Sequence, residues 1–192
     1  MMKLAQSCLL LTALFSIPLA VAQIQPQQLV RDARSQIGVT VGYDPAYRQI
    51  AFPMGDVPLQ TGVCTDVVIR ALRRQGVDLQ ALVNQDMKKA WSTYPKTWGL
   101  TKPDTNIDHR RVPNLEVFFR RHGQNLALTD KTAFKAGDIV TWRLPQGNLP
   151  HIGIVSDKRA ADGTPLVIHN IGRGTREENV LFAFRMIGHF RY

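Results

Sequence analysis

The chain changes texture at Gly137, and that change limits its fold more than any other feature. Before this point apolar residues recur at helical spacing; after it, short β-branched runs alternate with Gly, Pro, Asn and Asp. Gln27 to Ile37 is expected as a helix with Leu29, Val30, Ala33 and Ile37 on one face, closed by Gly38. Gly42 to Thr61, with three prolines and two glycines, is a long irregular segment, and loops of this length in compact domains are usually functional or disordered. Cys64 to Gln75 is expected as a helix with Val67, Val68, Ala71 and Leu72 inward and Gly76 as its stop. Further helices are expected over Leu79 to Trp91 and from Pro113, where Leu115, Phe118 and Phe119 face the core and Gly123 follows the end. Asp138 to Trp142, His151 to Val155, Pro165 to His169 and Val180 to Tyr192 read as strands, the first three joined closely enough to be antiparallel neighbours. Helices first and sheet afterwards predict an α+β fold, with the N-terminal helices packed on one side of an antiparallel sheet.

Residues 1–22 read as a secretory signal. Lys3 supplies the charge, Cys8 to Leu19 the apolar run, and Ala20-Val21-Ala22 a small-x-small cleavage site before Gln23. The run is too short to span a bilayer comfortably, so the expectation is a soluble exported protein without stable membrane insertion after cleavage. Residues 23–192 then form one domain. The chain carries 24 Lys+Arg against 15 Asp+Glu, a net +9, and losing Lys3 with the leader leaves +8. That charge suits an anionic partner. Export argues against nucleic acid, and the basic residues come in pairs such as Arg73-Arg74 and Arg120-Arg121, not in a long tail.

Export also gives the cysteine count its meaning. Of two cysteines, Cys8 belongs to the leader, so the mature chain keeps only Cys64. A lone thiol forms no internal disulfide and is open to oxidation, whereas a single cysteine with histidines elsewhere is a candidate nucleophile. Cys64 falls where the irregular segment meets a helix, so helical N–H groups are expected to lower its pKa from about 8.5 and to offer an oxyanion site. Thr61 or Thr65 can cap that first turn, with Asp66 pointing elsewhere. A thiolate needs a base and a group to orient the base. His151 opens one expected strand and His169 lies near the end of the next; if 151 pairs opposite 169, both imidazoles project from one face. A one-residue slip would separate them.

The order of a cysteine opening a helix, a histidine opening a strand in His151-Ile-Gly-Ile-Val155, and a polar residue on the next strand resembles the NlpC-type branch of papain-like cysteine peptidases. More closely, Thr61-Gly-Val-Cys-Thr-Asp66, Asn106-Ile-Asp-His-Arg-Arg-Val-Pro-Asn114, Gly137-Asp-Ile-Val-Thr-Trp142 and Val167-Ile-His-Asn-Ile-Gly172 resemble a bacterial family catalogued as a domain of unknown function, number 1287. The resemblance spans about Gly42 to Arg191 and implies a papain-like (NlpC-type) fold and hydrolysis of amide bonds in peptidoglycan peptides. It implies Cys64 as nucleophile, His151 as base and His169 as orienting residue. Many relatives have Asp-Cys-Ser where this chain has Val63-Cys64-Thr65.

Asp108, Arg110 and Arg111 form a polar cluster that can grip a substrate carboxylate, or simply cap a helix entry. Tyr43 and Asp44, in the loop before Cys64, can line the cleft or help form the oxyanion site. Asn170 rivals His169 as the orienting group but should face the other side of its strand. His122 and His189 read as surface or satisfied histidines, and Trp91, Trp98 and Trp142 as core. The best-supported reading is a periplasmic, monomeric cysteine amidohydrolase with a Cys-His-His triad, a peptide or amide substrate such as peptidoglycan, and neither cofactor nor metal. Two alternatives stay open. Cys64, His151 and His169 can also ligate zinc, and a basic module can bind a cell-wall polymer or peptide without catalysis.

Overall fold

The computed structural model describes residues 23–192; the expected leader, residues 1–22, lies outside them. The chain runs from helix α1 (Pro26–Arg34) through two short parallel strands, β1 (Gly42–Tyr43) and β2 (Thr61–Gly62), into α2 (Cys64–Arg73). Helices α3 (Leu79–Lys89) and α4 (Val112–His122) follow. The rest is sheet: β3 (Gln124–Asn125), β4 (Ile139–Arg143), β5 (Pro150–Arg159), β6 (Pro165–Asn170), β7 (Thr175–Glu178) and β8 (Arg185–Arg191). These six form one antiparallel sheet in the order β3-β8-β4-β5-β6-β7. This is the expected α+β architecture, with helices against an antiparallel sheet. Among the described residues no helix is long and apolar enough to cross a membrane.

Strand alternation divides the core. Ile139, Ile152, Ile154, Ile168 and Phe190 face the helices, where they bury Leu29, Val67, Val68, Leu72, Leu79, Leu115 and Phe119. Val140, Trp142, Val155 and Val167 face the other way and are covered by Phe134 and Leu181 from the connecting loops. Both faces are therefore dry, which explains why β5 and β6 read as nearly continuous apolar runs.

Three boundaries differ from expectation for local reasons. Helix α1 stops at Arg34, because the next turns bond i to i+3 (Gln36 N–H to Ala33 O, Ile37 N–H to Arg34 O). That tightening turns Ile37 outward, 41% exposed, instead of onto the buried face. Helix α3 ends at Lys89, and Trp91–Thr93 continues as a separate 3-10 turn. The last expected strand, Val180 to Tyr192, forms only from Arg185, while Thr175–Glu178 makes an additional edge strand. Its Arg-Glu-Glu sequence carries no apolar alternation to announce it.

Candidate active site

Cys64 is the first residue of α2, and the helix start is built around a buried ion pair. Asp66 turns back so that its Oδ2 accepts the Val63 N–H at 2.6 Å. Arg110 grips the same carboxylate with both arms of its fork, Nε to Oδ1 and Nη2 to Oδ2, each at 2.9 Å. Thr65 Oγ1 donates to the Arg110 carbonyl at 3.0 Å. Asp66, and neither Thr61 nor Thr65, thus caps the turn that carries the thiol. Only glycine fits at position 62, where a Cβ would stand 2.9 Å from Asp66 Oδ2.

The sulfur is buried, and the N–H groups of Ile152, Thr65 and Cys64 itself are directed at it. Strand β6 pairs with β5 from Ile154 onward, which leaves the Ile152 N–H available to the sulfur. The thiol is thereby held against the residue next to His151. Burial pushes its pKa up to about 12; the three N–H groups pull it down, and the Asp66 charge adds to the rise. This reverses the expected lowering: with the sulfur out of water, desolvation outweighs the helix dipole. Burial likewise holds His151 down at about 3, with the neighbouring His169 adding to the fall. The thiol and the imidazole both rest neutral.

His151 and His169 meet at 2.8 Å through Nε2 and Nδ1. They are diagonal neighbours, not directly opposite: β5 and β6 pair Ile154 with Ile168 and Val155 with Val167, and continuing that register sets Gly153 against His169. The offset is two residues, so both rings stay on one face. Gly153 makes the contact possible. A Cβ there would meet Val167 Cγ1 at 2.6 Å and His169 Cβ at 3.2 Å. Trp142, the cross-strand partner of His151, stacks on its ring with centroids 5.7 Å apart, while its Nε1 donates to Leu181 O. Asn170 faces away and donates to the carbonyls of Gly42 and Gly62, tying β1 and β2 to β6. His169 is therefore the residue at the imidazole. His169 Nε2 in turn lies 3.1 Å from Glu178 Oε2, a neighbour with no sequence signal.

A cleft of about 250 Å³ opens over Cys64, walled by Tyr43, Trp98, Ile107, Arg110, Arg111 and Leu149, among others. Of the expected substrate-binding residues, Tyr43, Arg110 and Arg111 line it. Asp44 and Asp108 do not: Asp44 pairs with Arg48 at 2.6 Å, and Asp108 is buried, holding the Asp104 N–H and Arg111. Arg110 has its fork closed by Asp66, whereas Arg111 lies over Trp98 at 4.1 Å. Trp98 is 38% exposed in that wall and is not core as expected. Trp142 is core; His189 is buried and satisfied by Asp138 and Ala127 O, and His122 pairs with Asp86. The zinc alternative lacks a ligand set: among the described residues no three His, Cys, Asp or Glu converge, and the two imidazoles bond to each other.

These buried rings make the fold acid-sensitive. Burial holds His109 at about 4 as well as His151 at about 3, against 6.5 for a free imidazole. Each stays neutral in the fold but takes a proton on unfolding. Their contribution to stability is complete above the unfolded value and is lost as pH falls from it toward the folded one. Between about pH 6.5 and pH 5 the two together cost about 4 kcal/mol at 1.4 kcal/mol per unit each. Urea unfolding at about pH 7.5 and pH 5 should show a midpoint that drops accordingly; equal midpoints would contradict the burial of neutral rings.

Residues 30–192 match the family described as Domain of unknown function (DUF1287). An uncharacterized protein, YijF, of Escherichia coli (strain K12) is 57% identical over 181 residues, covering 92% of this chain and 88% of the relative. Among solved structures, NlpC1 from Trichomonas vaginalis superimposes with a TM-score of 0.51 over 89% of this chain at 16% identity. The chain spans about half, 46%, of that protein's length, and at this identity the likeness is one of fold.

Proposed function

This chain belongs to the DUF1287 family, and from that premise and its papain-like, NlpC-type fold we propose that it is an exported cysteine amidohydrolase acting on amide bonds of peptidoglycan peptides. The observation that carries this reading is the line from a buried thiol at a helix start, through the strand residue beside it, to two hydrogen-bonded imidazoles. In this reading His151, whose Nε2 is engaged by His169, uses Nδ1 to take the Cys64 proton as the sulfur attacks the carbonyl carbon. Because thiol and imidazole rest neutral, proton transfer accompanies attack instead of preceding it. The oxyanion is received by N–H groups at the start of α2, with the Tyr43 phenol in the adjacent wall. The His151 imidazolium then protonates the leaving amine, and the imidazole next activates the water that cleaves the thioester.

The cleft supports a peptide with an apolar side chain. Its wall is largely apolar, and its two guanidiniums are already paired, Arg110 with Asp66 and Arg111 with Asp108. Residues 1–22 would direct the protein to the periplasm, where it acts as a monomer. The test is mass spectrometry of purified sacculi digested with the protein, beside Cys64→Ala. New stem-peptide fragments from the wild type alone support the reading and identify the bond. Fragments from neither protein would return the chain to a non-catalytic wall-binding role.

A further inference from the structure

The relay does not stop at His169. His151 on β5, His169 on β6 and Glu178 on β7 run diagonally across three adjacent strands, and their side chains share one face. Glu178 pairs in register with Val167, two residues from His169, repeating the offset that joins the two histidines. Its Oε2 stands 3.1 Å from His169 Nε2, at hydrogen-bond distance but off the ring N–H axis. His169 Nε2 is fully buried and otherwise without a partner. The adjacent Glu177 is committed to Arg34, Ser156 and Lys158, whereas the Glu178 carboxylate has no other side-chain partner among the described residues.

Resting on the triad reading above, we infer that Glu178 is a positioning residue that fixes the tautomers of both histidines from the far end of the relay. Each ring carries one proton in its neutral form. For His151 to accept a proton at Nδ1 its own proton must sit on Nε2, donated to His169 Nδ1. His169 Nδ1 then accepts, so its proton lies on Nε2, where a buried donor needs an acceptor. Glu178 is the acceptor in reach. Without it, His169 is free to carry the proton on Nδ1 and donate to His151 Nε2. That arrangement forces His151 to present an N–H toward the thiol, and the ring can no longer act as a base. When His151 becomes imidazolium, the Glu178 charge also stabilises it through the intervening ring.

Glu178 is partly exposed at the sheet edge, so its variants should fold. The test uses long-range proton–nitrogen correlation spectra of the full protein with isotope-labelled histidine. In the wild type both His151 and His169 should be protonated at Nε2. In Glu178→Ala the proton of His169 should move wholly or partly to Nδ1, and kcat should fall about tenfold or more with KM nearly unchanged. Glu178→Gln, whose amide oxygen still accepts, should restore the wild-type tautomers. Unchanged tautomers in Glu178→Ala would overturn the inference. The spectra need no turnover: a tautomer shift in a protein whose wild type cleaves nothing would sink the hydrolase reading and leave the positioning role standing.

Discussion

His151→Gln is expected to lower turnover about 10²–10⁴-fold, the range of a general base, while the protein keeps its fold. Glutamine is polar and of similar reach, so it can still hydrogen-bond His169 and fill the slot under Trp142. It has no ring nitrogen to take the thiol proton as the sulfur attacks. That transfer belongs to the transition state, so the loss should appear in kcat more than in KM. Because the ring rests neutral, activity should persist well below the pH at which a free histidine would protonate. The check is steady-state kinetics on defined muropeptides, with thermal melts showing that the variant is folded. Activity within a few-fold of wild type would remove His151 from the mechanism.

Arg110→Met carries the largest expected effect on stability. It leaves the Asp66 carboxylate, 3% exposed, without its bidentate partner, and breaking a buried pair on one side costs about 3–5 kcal/mol. For a domain of this size that is a loss of about 10 °C in melting temperature. The damage should also reach the site, since the same carboxylate holds the Val63 N–H one residue before Cys64. Combining it with Asp66→Asn removes the stranded charge while retaining an oxygen for Val63. The double variant should therefore be more stable than Arg110→Met alone, and calorimetry on the two single variants and the double closes the cycle. Additive losses would mean that the pair is not coupled as drawn.

Much of this arrangement could be read from the chain because period and punctuation agreed. Helix α2 showed its apolar stripe and its Gly76 stop, and the strands around His151 and His169 were bounded by Pro, Gly and Asn. The face shared by the two histidines followed from parity, which survives the two-residue offset. That offset itself depends on where β6 begins to pair, a tertiary matter. Desolvation was likewise hidden: a helix start argues for a thiolate, but only packing shows the sulfur buried. The Arg110–Asp66 pair joins residues 44 positions apart, and neither position announces the other. Glu178 stood in a run without apolar alternation, where no strand was expected and no neighbour could be assigned. Trp98 looked like core because aromatic residues usually are; its role in the cleft wall emerges only with Arg111 stacked on it.

The central claim is that Cys64 becomes acylated by an amide substrate. The direct measurement is mass spectrometry of the intact protein, quenched in acid after mixing with muropeptides and then digested to locate any adduct. A thioester on the peptide containing Cys64, forming and decaying with product release and absent from Cys64→Ala, is the predicted result. Product release that continues undiminished in Cys64→Ala, with no adduct on the wild type, would contradict it.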